Sequence, residues 1–202
     1  MQTSLRQINL NPLEAASFNF TIIQVYAPTS GHDDSEVDNF YQELQEIIDQ
    51  TPKKDILVVQ GEWNAKVRKD AQAAWGTVCG PYCNAETNER GFRLLEFEAF
   101  NNLVLTNTLS PHKPSKRWTW HSPDMKHHNQ IDYILVRKRF RLGVNIHRTR
   151  SFPGAEIGSD HDLEMMTFGV RLKKARKPTK PRLRFDLKKL RNPDMAGTFH
   201  QQ

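Results

Sequence analysis

The stretch Val58-Val59-Gln60-Gly61-Glu62-Trp63-Asn64-Ala65-Lys66-Val67 decides the fold. Residues 56–59, Ile-Leu-Val-Val, form a short apolar run, the pattern of a strand buried on both faces. Gly61 ends it, where the chain can turn sharply. Immediately beyond stand Glu62 and Asn64, two positions apart and therefore on the same side of an extended chain. The carboxylate is suited to take a proton or hold a metal, the carboxamide to donate to a phosphate oxygen. Polar groups just past the carboxyl end of a buried strand are a common way to build an active site in an α/β protein. On these residues alone, a strand-end turn with solvated polar side chains reads equally well.

Working outward, residues 18–26 (FNFTIIQVY) are rich in β-branched and aromatic side chains and predict a strand that stops at the turn Ala27-Pro28-Thr29-Ser30-Gly31. Asp33, Asp34 or Ser35 is placed to cap a helix. Val37, Phe40, Tyr41, Leu44, Ile47 and Ile48 recur at three- and four-residue spacing, an amphipathic helix of about four turns. Thr51-Pro52 ends it. Strand, helix and parallel strand form a right-handed crossover unit, which brings Tyr26 near Glu62 and Asn64. Downstream, residues 68–90 read as a long irregular loop, 91–101 as a second amphipathic helix, and 103–106 as a short strand. Residues 111–116 form a basic loop. Residues 117–120, 130–136 and 142–147 read as further strands, 151–158 as a loop, and 163–170 as the last strand.

The 202 residues fit one domain, or one domain with a tail. Mean hydropathy is −0.70, and no stretch approaches the roughly 20 apolar residues of a membrane span. The first residues lack the apolar core of a signal peptide, so a nuclear or cytoplasmic rather than secreted chain is expected. Cys79 and Cys83, without a second ligand pair, read as reduced thiols in a loop. Residues 171–202 carry 11 Lys/Arg and two acids, leaving 18 basic and 21 acidic residues in 1–170, so the chain's +6 resides in its tail. Hydrophobic periodicity is also lost there. The expected organisation is a folded domain over 1–170 and a basic, disordered arm over 171–202, suited to a polyanion.

Four places carry potential chemistry, all in or at the end of predicted strands: Tyr26, Glu62 with Asn64, Asp132, and Asp160-His161. Tyr26 alone reads as packing with a wet hydroxyl. Asp132 lies inside Gln130-Ile131-Asp132-Tyr133-Ile134-Leu135, where an unpaired carboxylate costs several kcal/mol; His161 is its obvious partner, and the pairing would fix the imidazole tautomer and favour the protonated ring. Asp160 would remain for a divalent cation. Jointly these types suit phosphodiester hydrolysis: a base for water, a hard oxygen ligand for Mg²⁺, and donors for the charge on phosphorus.

The ordered set Tyr26-Ala27-Pro28, Gly61-Glu62-Trp63-Asn64-Ala65, Trp118-Thr119-Trp120, Ile131-Asp132-Tyr133-Ile134 and Ser159-Asp160-His161 resembles the endonuclease/exonuclease/phosphatase family. Within it, the set is similar to the apurinic-like endonuclease domain of LINE-type (non-LTR) retrotransposons. The resemblance implies a four-layer α/β sandwich, two mixed β-sheets face to face with helices outside (DNase I-like), and Mg²⁺-dependent hydrolysis of a phosphodiester, with DNA or another nucleic acid as partner. Carried over, Tyr26 contacts the scissile phosphate, Glu62 activates water, Asn64 binds phosphate or water, Asp132 orients His161, His161 stabilises the developing charge, and Asp160 binds metal.

Two departures stand out. The family has Asp where this chain has Glu62, an extra methylene of about 1.5 Å. The family also places an Asn and a metal-binding Glu on strands ahead of the Tyr26 strand; Asn9, Asn11 and Glu14 sit in no matching context, so an N-terminally truncated first sheet and a weak Mg²⁺ site are expected. A DNA endonuclease is one reading. A nucleic-acid- or chromatin-binding remnant without chemistry is the alternative, and a small-molecule phosphatase is the runner-up within the fold.

Overall fold

The computed structural model describes residues 4–10, 19–69, 71–83, 86–155 and 158–169. In chain order the elements are β1 (Ser4–Leu10), β2 (Phe20–Tyr26), α1 (Asp34–Gln50), β3 (Ile56–Glu62), α2 (Ala71–Trp75), α3 (Glu89–Asn101), β4 (Leu103–Leu105), β5 (Trp120–His121), β6 (His128–Asn129), β7 (Asp132–Arg137), β8 (Val144–Phe152) and β9 (Leu163–Phe168). The expected basic arm lies outside the described residues. No described helix is long and apolar enough to cross a membrane.

The central sheet has five strands in the order β1-β2-β3-β7-β4. β2 and β3 run parallel, joined through α1 as the spacing predicts, and β7 is antiparallel to both β3 and β4. Asp33 caps α1 by accepting the Glu36 N–H at 2.9 Å, satisfying one of the orphan donors of the first turn. Asn88 does the same for α3 through Gly91 N–H. The apolar stripe of α1 (Val37, Phe40, Tyr41, Leu44, Ile48) packs with Leu94 and Leu95 of α3 over Ile23, Val25, Leu57, Val59, Tyr133 and Leu135 of the sheet. Side chains alternate across a strand, so the other sheet face presents Ile56, Val58, Ile134 and Val136. That face meets Met166 and Phe168 of β9, with Phe20 and Phe168 edge to face at 5.6 Å. β8 and β9 pair as a second, two-stranded sheet. Helices, five-stranded sheet and two-stranded sheet make three of the expected four layers within the described residues.

Several boundaries differ from the sequence reading. β3 continues through Gly61 to Glu62; the glycine is needed inside the strand, at φ +137°, because a Cβ there would lie 2.0 Å from Val25 O. β1, with no strong apolar alternation, was not expected; it pairs antiparallel with β2. Of 117–120, only Trp120 is strand: the chain leaves a 3₁₀ turn at Pro114–Lys116 through a turn at Arg117, and Trp118 N–H still donates back to Pro114 O. The strand expected at 142–147 starts at Val144 after a 3₁₀ turn and runs on to Phe152, through the start of the expected loop. The irregular stretch 68–90 contains α2 and buries Val78, Cys79 and Cys83 in the core. Both cysteines are free, and burial pushes each thiol up to about 12.

Candidate active site

Register assembles the site. Across β2, β3 and β7, Tyr26 stands opposite Glu62, and Glu62 opposite Asp132. The three form a row at one end of the sheet, on the face away from α1. The end of β3 is pinned by Trp63, whose buried indole donates to Tyr133 O at 3.2 Å. His161 arrives from the segment between β8 and β9, held by a backbone bridge to Trp120. Its Nδ1 lies 3.0 Å from Asp132 Oδ2 and its Nε2 3.6 Å from Glu62 Oε2. Glu62, Asp132 and His161 bring one ligand atom each within 4.8 Å of one another.

The electrostatics follow from this clasp. The Asp132 hydrogen bond raises the His161 pKa; burial opposes it, and the charges of Asp132, Glu62 and Asp160 add to the rise. Burial raises the Glu62 carboxyl, with His161 and an Asn64 hydrogen bond pulling it down and Asp132 and Asp160 pushing it further up. Burial, then the charge of Glu62, raises the Tyr26 phenol. The result is an imidazole biased toward its cation between two carboxylates, beside a base with increased proton affinity.

Asn64 and Asp160 stand slightly apart from this cluster. Asn64 takes a left-handed backbone (φ +50°), tolerable for Asn, and its Nδ2 donates to Ala27 O at 2.9 Å. It therefore braces the turn after β2 as well as touching Glu62. Asp160 is exposed, and its Oδ2 accepts from Trp120 Nε1 at 2.8 Å. The Trp118-Thr119-Trp120 motif thus has a structural purpose: Trp120 holds Asp160, while the buried Thr119 hydroxyl accepts the backbone N–H groups of Ile131 and Asp132. Beside Asp160 and His161 a cleft of about 550 Å³ opens, edged also by Met125 and Ser159.

Two further residues were missed in the sequence. Asn107, in the 3₁₀ turn after β4, donates to Asp132 O at 3.0 Å. Glu164 shares the inward parity of Met166 and Phe168 on β9, and its carboxylate oxygens are buried without a hydrogen bond of ordinary geometry among the described residues. Burial raises its pKa well above the usual range, Asp132 adds to this, and the nearby Asn107 carboxamide offsets part of it. The alternation of β9 was the available signal for Glu164; nothing local marked Asn107.

This architecture is the endonuclease/exonuclease/phosphatase, or DNase I-like, fold. The endonuclease domain of TRAS1, a telomere-specific non-LTR retrotransposon, superposes with a TM-score of 0.54 at 16% identity, over 85% of this chain and 69% of that one. The 3′ phosphatase NExo from Neisseria, bound to product DNA hairpin, gives 0.52 at 18%, over 75% and 62%. No family model matches the chain. At the level of individual proteins, the chain is similar to craniofacial development protein 2: 45% identical to the Bos taurus protein over 164 residues and 42% identical to the Tragulus javanicus protein over 176. Those matches take in 81% and 87% of this chain but 27% and 30% of the relatives, so the chain spans less than a third of their length.

Proposed function

We propose that the Glu62–His161–Asp132 clasp hydrolyses phosphodiesters of DNA, in a chain of retrotransposon origin. One observation carries this reading: His161 sits within reach of both carboxylates at the end of a register row that also contains Tyr26. Glu62 takes the proton of the attacking water as its oxygen bonds to phosphorus. The His161 cation, fixed by Asp132, neutralises charge on the non-bridging oxygens as the bond to the leaving oxygen breaks. Tyr26 and Asn64 line the row where the phosphate docks. The choice of DNA rests on the two solved neighbours: one is the endonuclease domain of a retrotransposon, the other holds product DNA.

The donor set fits a hard dication such as Mg²⁺, because Glu62 and Asp132 bring carboxylate oxygens together and the charge of Asp160 is felt at the same place. Asp160 would hold it, and when bound it would polarise a phosphoryl oxygen as a Lewis acid while Glu62 stays free to take the water proton. The second reading, a DNA-binding remnant without chemistry, is favoured by Glu62 itself. Its extra methylene displaces the carboxylate, and a misplacement of about 1 Å costs on the order of 10²-fold in rate.

Nicking of supercoiled plasmid, with Mg²⁺ or with EDTA and beside an Asp160→Asn/His161→Ala control, tests the proposal. Nicking that needs Mg²⁺ and disappears in the control supports hydrolysis. Plasmid binding without nicking, even after Glu62→Asp, supports the remnant.

A further inference from the structure

A second group of metal-ligating side chains lies on the β5–β6 hairpin. His121 and His128 are directly paired across the two strands, and their Nδ1 atoms are 2.6 Å apart. The other nitrogen of His121, Nε2, lies 3.0 Å from Asp162 Oδ2, with both side chains largely buried, 15% and 12% exposed. Trp118 stacks on the His128 ring at 4.3 Å and 20°. Both rings are therefore positioned by partners other than each other. The carboxylate takes the Nε2–H of His121 and so leaves its Nδ1 lone pair facing His128. A carboxylate–imidazole pair of this kind commonly sits behind a metal-ligating histidine, fixing its tautomer and raising its basicity.

We infer that His121 and His128 form a bidentate site for a borderline divalent metal such as Zn²⁺, Ni²⁺ or Cu²⁺. Imidazole nitrogen suits these ions, whereas Mg²⁺ prefers oxygen. Zn–N bonds of about 2.0–2.1 Å at a tetrahedral angle place two nitrogens roughly 3.3 Å apart, so the rings need to separate by about 0.7 Å and tilt until both lone pairs converge on the ion. Binding replaces the hydrogen bond between the rings. His128 changes from the Nδ1–H to the Nε2–H tautomer and no proton is lost overall. Water completes the coordination. Entry is open, because His128 borders a cleft of about 610 Å³ and His121 the 550 Å³ cleft. Lys66 and Lys126 also line the larger cleft and oppose a dication; Asp162 offsets them from the side of His121.

The site is distinct from the Glu62–Asp132–His161 clasp but mechanically joined to it. His121 N–H donates to Asp160 O at 2.9 Å, and Asp162 N–H to Thr119 O at 2.9 Å. Metal binding would thus tighten the hairpin against the segment that carries His161.

Calorimetric titration of the full chain with Zn²⁺, in excess Mg²⁺ to occupy oxygen sites, tests the inference. The expected result is one Zn²⁺ per chain, lost in His128→Ala and His121→Ala, weakened about 10- to 100-fold in Asp162→Asn, and kept in Glu62→Gln. Should an alanine variant fold poorly, histidine ¹⁵N spectra of the unaltered chain give the answer: Zn²⁺ should shift the Nδ1 resonances of both His121 and His128. Zn²⁺ binding that survives both alanine variants, that is lost with Glu62→Gln, or that leaves those two resonances unmoved would overturn it.

Discussion

On the helix side of the central sheet, Ile23, Val25, Leu57, Val59, Tyr133 and Leu135 meet α1 and α3 in a continuous apolar interior. On the other side the same strands carry Ile56, Val58, Ile134 and Val136 along part of their length, then Glu62 and Asp132 at the end. The β9 side of this second face also carries Glu164, whose buried carboxylate oxygens lack a hydrogen bond of ordinary geometry among the described residues. The difference separates two tasks. Apolar burial proportional to area stabilises the first face; the second gives up part of that burial to hold charged groups where their proton affinities are displaced. Glu98 is the exception that shows the rule's cost: it is fully buried on the helix side with both oxygens unpaired.

Leu135→Ala, at a position with no exposure, should lower the unfolding free energy by about 2–5 kcal/mol, measured in urea. A loss below about 1 kcal/mol would mean that the helix side is not the main store of stability. Glu62→Asp should raise the nicking rate on the order of 10²-fold, roughly 2.7 kcal/mol of barrier, in single-turnover assays; an unchanged or reduced rate would show that carboxylate position does not limit the reaction.

Glu98→Met should stabilise the fold by about 1–3 kcal/mol. Burial raises the Glu98 pKa well above its ordinary 4.5, so the folded chain binds more protons than the unfolded one above that pH. Wild-type stability therefore falls as pH rises from about 4.5 toward the folded pKa, and the advantage of the Met variant should widen over that range. Denaturation midpoints at several pH values would reveal a constant gap if the account of Glu98 is mistaken.

The smallest effect belongs to His161. Its pKa is raised above 6.5, so its pairing stabilises the fold fully below about 6.5 and is lost as pH climbs through the raised value. His161→Ala should flatten stability against pH in that window. Partial exposure screens the contribution, and identical slopes for the two proteins would argue against the pairing in solution.

Much of the candidate site was legible because each residue violates its surroundings. Asp132 stands in an apolar strand and wants a cation, and Glu62 follows a buried run. His161 neighbours another acid. The parallel crossover then fixes Tyr26 beside Glu62 without any long-range information. The α1 stripe was equally plain, since six apolar residues keep helical spacing. What stayed hidden depends on contacts distant in sequence. β1 becomes a strand by pairing with β2 rather than through its own pattern. Asn107 matters only because β4 and β7 are neighbours. Glu164 looks like an ordinary exposed acid until β9 folds onto the sheet, and His121 meets His128 only once the hairpin closes.

The most direct test of the account is plasmid nicking and urea stability measured together on His161→Ala and Asp132→Asn. Both variants should lose Mg²⁺-dependent nicking while each still unfolds in a single cooperative urea transition, so that the lost activity is not a lost fold. Nicking that persists in His161→Ala would contradict it, since the charged face would then not be the place where the phosphodiester is cut.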